Sequence, residues 1–393
     1  MSVRHPPRLR PEIETLGLSK IREVANAAFG QDDILRFWFG ESDRETPLPI
    51  RQAAIEALQS GRVFYTHNSG NPDLRQTIAT YLSGLHGRPI ASASISVTSS
   101  GVNALMLAMQ AILSPGDKVV AVVPVWPNLT EIPHILGAQV IRVAVEPSSE
   151  GWRLDLDRLL AAITPDVRLL LLNSPGNPTG WTMKTGDRAA ILEHCRRLGV
   201  WIIADDVYER LIFDPSRRSA PSFLEISDPD DRVIGVNSFS KAWLMTGWRL
   251  GWMAAPPGLE IDLGKLIEYN TSCAPDFVQA AGLVAIRDGE ADVLALRGDL
   301  QETRDLMLER LRAMPGVSAI PPEGGMYVFF RIAGQDNSLD LAKRLIREAG
   351  LGLAPGAAFG PEGEGWLRWC IATAPARLEQ GLSRLETWLA RSR

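Results

Sequence analysis

Short apolar segments alternate with amphipathic segments in the middle of the chain, from about residue 95 to residue 252. Some of these segments are apolar along their whole length, as is typical of strands buried on both faces of a sheet. The segments at 103–113 and 185–198 instead have apolar residues at helical spacing. This alternation predicts an α/β fold in which helices cover both faces of a mostly parallel sheet. The predicted strands are 95–98, 119–123, 168–172, 200–204 and 233–236.

The pattern changes after about residue 278, where strands and helices no longer alternate regularly. A chain of 393 residues also exceeds the length at which one core stops growing, so two lobes are expected. We therefore predict a large domain at 47–285 and a smaller α+β domain formed by 1–46 and 286–393. The elements predicted for the smaller domain are a long charged helix at 294–314, strands at 326–330 and 366–370, and helices at 339–348 and up to 391.

Composition excludes several classes of protein. The net charge is −5 without a long run of one sign, so neither a nucleic-acid surface nor a polybasic membrane patch is indicated. The 3 cysteines and 5 histidines are scattered and form no disulfide framework and no metal-ligand spacing. The sequence contains no recognisable signal peptide or membrane span. We expect a cytoplasmic protein that binds small molecules and no metal.

The most informative residue is Lys241, which follows the last predicted strand in the segment Ser-Phe-Ser-Lys at 238–241. A lysine delivered into a cleft can form an imine with an aldehyde, and pyridoxal 5′-phosphate is the aldehyde cofactor that proteins hold in this way. Ser238 and Arg249 supply a hydroxyl and a planar cation, which suit the phosphate of that cofactor. Open parallel sheets bind ligands beyond the carboxyl ends of their strands, so the other strand ends test this interpretation.

Two strand ends carry groups that could bind the phosphate and the ring. Ser100, Gly101 and Val102 form a small-residue turn at the start of a helix, and such a turn offers free backbone N–H groups to a phosphate. Trp126 follows the second strand and can stack on a planar heteroaromatic ring. Each feature alone also has an ordinary structural interpretation, as a helix cap and as a core tryptophan.

The remaining strand ends carry groups that could adjust the electronics of the ring. Asp205 directly follows a buried strand, and a buried carboxylate can hold a pyridine nitrogen protonated. Asp206 is expected to point to the opposite face of the sheet and is the second candidate for this carboxylate. Asn177, in an Asn-Pro-Thr-Gly loop, and Tyr208 can both hydrogen-bond the phenolic oxygen of the ring. Complementary groups at every predicted strand end favour one shared cofactor site over separate structural roles.

These segments resemble the class I/II aminotransferases, the aspartate-aminotransferase-like branch of the fold-type I pyridoxal-phosphate enzymes. The resemblance runs from about Arg36 to the C-terminus and implies a PLP-dependent transferase-like fold with a seven-stranded sheet. Its most specific part is the lysine segment. The matching sequences are Tyr-Thr-His-Asn-Ser-Gly at 65–70, Asn-Pro-Thr-Gly at 177–180, Asp-Asp-Val-Tyr at 205–208, Ser-Phe-Ser-Lys at 238–241, Gly-Trp-Arg at 247–249 and Leu-Arg at 367–368.

The resemblance implies roles that the residue pattern alone does not give. Lys241 would be the Schiff-base lysine and the base that moves the substrate proton, with Asp205 and Tyr208 as the other catalytic residues. Tyr65 would reach the phosphate of the neighbouring subunit, which implies a homodimer. Arg368 would pair with the substrate α-carboxylate. The implied substrate-binding residues are Gly40, Trp126, Asn177 and Arg368.

The activity implied is transfer of an amino group between an L-amino acid and a 2-oxo acid. One branch of the family carries a lysine for a side-chain carboxylate at the position of Asn103, so we expect a neutral or aromatic donor. The cofactor residues alone leave a β-elimination C–S lyase or a cyclase open. A pyridoxal-phosphate-binding transcriptional regulator is disfavoured, because the residues before the matching region do not show a helix-turn-helix pattern.

Overall fold

The computed structural model describes residues 8–31 and 33–391. The strands of the described residues form a large sheet, a small sheet and a separate pair of short strands, and helices pack around them. The helices are α1 (Pro11–Glu14), α2 (Lys20–Ala27), α3 (Leu48–Gln59), α4 (Pro72–His86), α5 (Gly101–Ile112), α6 (Asn128–Ile135), α7 (Leu156–Ala162), α8 (Thr185–Leu198), α9 (Glu260–Glu268), α10 (Asp276–Asp288), α11 (Glu290–Ala313), α12 (Ser338–Ala349) and α13 (Pro375–Arg391). The strands are β1 (Leu35–Arg36), β2 (Ile95–Thr98), β3 (Lys118–Val123), β4 (Gln139–Ser148), β5 (Gly151–Leu154), β6 (Val167–Asn173), β7 (Trp201–Asp205), β8 (Val233–Ser238), β9 (Gly251–Ala254), β10 (Val317–Ile320), β11 (Tyr327–Ile332), β12 (Leu351–Gly352), β13 (Ala354–Pro355) and β14 (Trp366–Cys370).

The large sheet has the strand order β2-β9-β8-β7-β6-β3-β4-β5. Its centre is parallel, since β8, β7, β6, β3 and β4 all run in the same direction. Strand β9 is antiparallel to both of its neighbours, and β5 is antiparallel to β4. The predicted mostly parallel α/β sheet is therefore confirmed. It has 8 strands instead of the expected seven, because the chain turns back after Ser148 and β5 extends the edge.

Helices cover both faces of this sheet, and the alternation of side chains along β7 shows how. Ile203 packs into a cluster on one face with Leu105 and Met109 of α5. Ile202 packs on the opposite face, in the cluster that contains Ile191 of α8. Full burial of one such side chain contributes roughly 1.5–3 kcal/mol. Each central strand therefore ends where its apolar run ends. The polar residues that follow then lie at the carboxyl edge of the sheet.

The small sheet has the strand order β10-β11-β14-β13 and is antiparallel throughout. Opposite residues in the β11–β14 pair include Phe329 with Arg368 and Tyr327 with Cys370. The N-terminal segment packs against this part of the chain, because Leu35 of β1 pairs with Leu351 of β12. The domain boundaries at residues 46 and 285 stay a prediction. Over residues 8–31 and 33–391, no helix has the length and apolar content needed to cross a membrane.

Candidate active site

The carboxyl ends of the central strands meet residues of the small sheet at one cavity of about 230 Å³. The small sheet contributes Arg368 of β14 and Tyr327 of β11. Two of the predicted site residues do not line the cavity: Ser100 is buried beside it as the cap of α5, and Tyr65 is 87% exposed. The predicted residues that do line the cavity are Gly40, Gly101, Val102, Trp126, Asn177, Asp205, Tyr208, Ser238, Lys241, Arg249 and Arg368.

Lys241 reaches the cavity from the turn that follows β8. The turn is held by Ser238, whose Oγ donates to Ser240 Oγ at 2.9 Å and accepts from the Ser240 backbone N–H at 3.1 Å. The Lys241 Nζ donates to the carbonyl oxygen of Gly40, in the turn that covers the cavity. Burial lowers the pKa of Lys241 to about 8, because removal from water disfavours the charged amine. The side chain is therefore nearer to a neutral nucleophile than an exposed lysine is.

Asp205 lies at the end of β7 and is buried on the cavity side. Its Oδ1 accepts from the backbone N–H of Val207 at 3.3 Å. Burial raises the pKa of Asp205 to about 7, which leaves the carboxyl ready to ionise when a cation is placed against it. Asp206 turns to the opposite side of the strand, where its Oδ2 accepts from Ser222 Oγ at 2.8 Å. Of the two acids, only Asp205 lines the cavity and fits a protonated ring nitrogen.

Arg368 is buried at the side of the cavity opposite the sheet. Its Nη1 donates to Asn177 Oδ1 at 2.9 Å, and its Nη2 donates to the carbonyl oxygen of Trp38. The guanidinium lies over the Tyr327 ring, 4.3 Å from its centroid. The buried Nε atom has no hydrogen-bond partner in the part of the chain that the structure describes, and the side chain makes no ion pair there. A buried guanidinium without a carboxylate fits an anionic ligand that supplies one.

The start of α5 forms a narrow cradle with the turn around Lys241. A Cβ on Gly101 would lie 3.0 Å from the Ser238 Cβ, and one on Gly251 would lie 2.5 Å from the Gly101 backbone nitrogen. The small residues therefore allow backbone N–H groups and the Ser238 hydroxyl to approach one point. Arg249 lines the same cavity and donates through Nη1 to the carbonyl oxygen of Thr246 at 2.6 Å. A helix N-terminus, hydroxyls and a guanidinium together fit the phosphate of pyridoxal phosphate.

Tyr327 is a cavity residue that the sequence pattern did not identify. The Tyr327 hydroxyl lies 2.7 Å from the hydroxyl of Tyr208. A Cβ on Gly40 would lie only 1.9 Å from the Tyr327 hydroxyl oxygen. Burial raises the pKa of Tyr327 to about 12 and that of Tyr208 well above its usual value, so both phenols stay protonated. The sequence placed Tyr327 on a strand of the smaller domain. The missing information was the contact of that strand with Tyr208, which follows β7.

The cavity carries two arginines and one lysine against one aspartate, which favours an anionic ligand. Asn103 has a neutral side chain and adds no further cation. Its Nδ2 donates to Asn270 Oδ1 at 2.8 Å. The large sheet, the smaller antiparallel sheet and this cavity of lysine, aspartate and arginine define a pyridoxal-phosphate enzyme of fold type I.

Comparison with known proteins agrees with this class. Residues 32–385 match the family described as aminotransferase class I and II. The chain is 31% identical to a probable N-acetyl-LL-diaminopimelate aminotransferase of Bacillus subtilis, with 98% of this chain and 96% of that protein covered. It is also 31% identical to an aspartate aminotransferase of Pyrococcus horikoshii, with 94% of each chain covered. A crystal structure of an aromatic aminotransferase from Pyrococcus horikoshii has a TM-score of 0.86 at 31% identity and covers 94% of this chain and 99% of that one.

The chain therefore belongs to the class I and II aminotransferase family. The enzymes of this family use pyridoxal 5′-phosphate, so this protein is a transaminase with that cofactor. The predicted fold class, cofactor and enzyme class are confirmed. The names of the three relatives point to acidic, aromatic and diamino-acid donors, so they do not agree on one donor.

Proposed function

We propose that this transaminase takes a neutral or aromatic L-amino acid as donor and a 2-oxo acid as acceptor. The assignment of the site rests on the fact that Lys241, Asp205 and Arg368 line one cavity, although Lys241 follows β8, Asp205 ends β7 and Arg368 lies within β14 of the other sheet. Pyridoxal phosphate, when bound, supplies the electron sink that stabilises negative charge at the substrate Cα. The side chains of the protein contribute positioning of the substrate and transfer of its proton.

Each cavity side chain has a role that its surroundings support. Lys241 would hold the cofactor and move the α-proton, for which a pKa of about 8 is suitable near neutral pH. Asp205 would place a negative charge against the ring nitrogen. Asn177 and Tyr208 would donate hydrogen bonds to the phenolic oxygen, and Arg368 would bind the α-carboxylate of the substrate. The residues that would hold the phosphate are Ser100, Gly101, Val102, Ser238 and Arg249, and Trp126 would stack on the ring.

The preference for a neutral donor rests on what surrounds the rest of the cavity. Ile21, Phe39, Leu105 and Trp126 line it with apolar surface. Asn103 stands where a cation for an acidic side chain would be expected, and it is bonded to another amide. An apolar wall stabilises an apolar donor side chain by roughly 0.8 kcal/mol per buried methylene, and it leaves the carboxylate of an acidic donor without a partner.

A screen of half-reactions tests this proposal. The pyridoxal form of the enzyme is mixed with each amino acid in turn, and conversion to the pyridoxamine form is followed by absorbance. We expect neutral and aromatic amino acids to convert faster than aspartate. Pyruvate and ammonia formed without any 2-oxo acid would instead indicate β-elimination. Conversion by aspartate alone would contradict the proposed donor class.

We further propose that the enzyme is a homodimer in which Tyr65 completes the partner's site. Val63, Phe64 and Tyr65 form a consecutive exposed apolar run, and Tyr65 and Tyr269 are 87% and 91% exposed. Exposed aromatic residues of this kind are typical of interfaces. The three cysteines are free, which supports the proposed location in a reducing cytoplasm.

Subunit mixing tests the shared site. Tyr65→Ala and Lys241→Ala variants are unfolded, mixed and refolded together. A mixed dimer then contains one site with both native residues, so we expect activity well above that of either variant alone. Absence of any recovery in dimers of verified mixed composition would rule out a contribution from the partner.

A further inference from the structure

Glu209 is a buried carboxyl, directly after Tyr208, that the proposed reaction does not use. Its side chain does not line the cavity, and the residue is 2% exposed. The Glu209 Oε1 accepts from Asn237 Nδ2 at 2.6 Å. The backbone of Glu209 is held on both sides, since its N–H donates to the Asp206 carbonyl oxygen and its carbonyl oxygen accepts from the Ala220 N–H, both at 2.8 Å. The carboxyl therefore lies at a fixed point against the end of β8.

Asn237 connects Glu209 to Ser238, which holds the turn that carries Lys241. The Asn237 Nδ2 donates to Glu209, and the Asn237 Oδ1 accepts from the Ser238 backbone N–H at 2.8 Å. Only one orientation of the amide makes both bonds, because the reversed amide would place two oxygens together on one side and two N–H donors together on the other. Glu209 therefore fixes the orientation in which Asn237 accepts from Ser238. A wrong orientation is costly here, since Asn237 is 5% exposed and water has little access to replace the lost bonds.

Ser238 lies where the end of β8 meets the start of α5. A Cβ on Gly101 would lie 3.0 Å from the Ser238 Cβ and 3.4 Å from the Asn237 carbonyl oxygen. A Cβ on Gly251 would lie 2.8 Å from that same oxygen. The backbone at 237–238 is thus in close contact with the helix N-terminus that is proposed to hold the phosphate. A small displacement of Ser238 would change the distance between its hydroxyl and the N–H groups of α5, which together form the proposed phosphate site.

The second carboxyl oxygen of Glu209 faces His86, the last residue of α4. The Glu209 Oε2 lies 3.5 Å from His86 Nε2, and neither this oxygen nor either ring nitrogen has a hydrogen-bond partner among residues 8–31 and 33–391. Burial raises the pKa of Glu209 well above its usual value and lowers the pKa of His86 to about 4, so both side chains are uncharged near neutral pH. An uncharged carboxyl still accepts from Asn237 through one oxygen. A glutamine in its place would reproduce this contact.

We propose that Glu209 is a positioning residue for the cofactor phosphate, which acts through Asn237 to hold Ser238 at the distance from α5 that the phosphate requires. This inference rests on the proposed function, in which Ser238 and the start of α5 hold the phosphate. Glu209 has no surface in the cavity, so its effect on a ligand passes through Asn237. Loss of Glu209 should therefore weaken the binding of ligands that carry the phosphate and spare ligands that lack it.

The test compares two ligands that differ only in the phosphate. The full-length chain is dialysed to equilibrium against pyridoxamine 5′-phosphate and against pyridoxamine, two amines that form no imine with Lys241. Glu209→Met replaces the carboxyl by an apolar side chain of similar length and leaves Asn237 Nδ2 without its acceptor. We expect this variant to raise the Kd of pyridoxamine 5′-phosphate by on the order of 10-fold, the scale of one hydrogen bond, and that of pyridoxamine by less than about 2-fold. Asn237→Ala should cause the same selective loss.

Three further variants separate positioning from a general structural role. Glu209→Gln should keep both Kd values within about 3-fold of the wild type, because its amide oxygen still accepts from Asn237. Ser222→Ala is the matched control, since it removes the buried hydrogen bond to Asp206 Oδ2 and leaves the bond between Glu209 and Asn237 in place. It should lower the urea unfolding midpoint without changing the preference for the phosphate. The double variant Glu209→Met/Asn237→Ala should lose no more than Asn237→Ala alone, because both changes break the same connection.

Three results would overturn the inference while leaving the proposed function intact. They are an unchanged Kd of pyridoxamine 5′-phosphate in Glu209→Met, equal losses for the two ligands, and the same selective loss in Ser222→Ala. If Glu209→Met does not fold, Asn237→Ala decides by the same criteria. Wild-type protein that binds pyridoxamine 5′-phosphate no more tightly than pyridoxamine would instead refute the proposed assignment of the phosphate site itself.

Discussion

Gly40→Ala should displace the turn that covers Lys241, because a Cβ at this position would lie 1.9 Å from the Tyr327 hydroxyl oxygen. The backbone of Gly40 is not in the left-handed region, so the clash is the only obstacle to alanine. The turn also supplies the carbonyl oxygen that accepts from Lys241 Nζ. Overpacking of this kind usually costs about 1–3 kcal/mol, so we expect a loss of stability in that range together with a slower half-reaction.

Tyr327→Phe provides the compensating change. Without the hydroxyl, the nearest atom to the new Cβ is the Tyr327 Cζ at 3.0 Å, a contact that a shift of a few tenths of an ångström relieves. Tyr327→Phe alone should cost about 0.5–1.5 kcal/mol, because it removes the hydrogen bond with the Tyr208 hydroxyl. In the double variant the clash is absent, so the combined loss should be smaller than the sum by at least about 1 kcal/mol.

The measurement is a double-mutant cycle on the holoenzyme. Urea unfolding midpoints and half-reaction rates are determined for the wild type, the two single variants and the double variant. Because the clash is with the Tyr327 hydroxyl, the double variant should resemble Tyr327→Phe in both quantities. Losses that add to within about 0.5 kcal/mol would refute the reasoning, since they would show that the two positions do not interfere.

The remaining predictions concern Lys241 and Arg368. Lys241→Ala should abolish turnover while circular dichroism stays unchanged; normal turnover would remove this residue from the mechanism. In cofactor-free protein, the lysine should react with trinitrobenzenesulfonate to half its maximal rate at a pH of about 8, because its pKa is lowered to about 8 by burial and only the neutral amine reacts. At pH 7 about a tenth of the amine would be neutral, against about 0.04% for an ordinary lysine, and a midpoint above pH 10 would contradict the lowered pKa. Arg368→Lys should weaken binding of the substrate α-carboxylate by about 1–3 kcal/mol, measured as the Kd of butyrate, and an unchanged Kd would exclude the assigned contact.

The central strands could be predicted from the sequence because each is apolar on both faces. Strand β7 is an example, since Ile202 and Ile203 fill opposite cores and Asp205 marks the point where the run ends. Strand β4 was not predicted, because it lies near the edge of the sheet and carries a half-buried Arg142 and an exposed Glu146. Its pattern therefore lacks the continuous apolar run that identifies a central strand.

The sequence predicted the residues that the large sheet contributes to the candidate site better than those that the small sheet and the turn at Gly40 contribute. The strand-end rule located Asp205 and Lys241 directly, because both follow buried apolar runs. Gly40 and Arg368 were found only through the family resemblance, and Tyr327 was not found. Its position depends on the contact between β11 and the segment after β7 that carries Tyr208, and the relative placement of the two sheets leaves no local pattern in the sequence.

The pairing of β1 with β12 and the bond between Asn177 and Arg368 have a consequence for biosynthesis. Arg368 and Asn177 are 191 positions apart, and Leu35 meets Leu351 across almost the whole chain. Contacts between such distant positions form late, because the intervening chain must already be compact. A ribosome-bound fragment that ends before β14 would contain Lys241 and Asp205 but lack Arg368, so the newly made enzyme gains the arginine of this cavity only when translation is nearly complete.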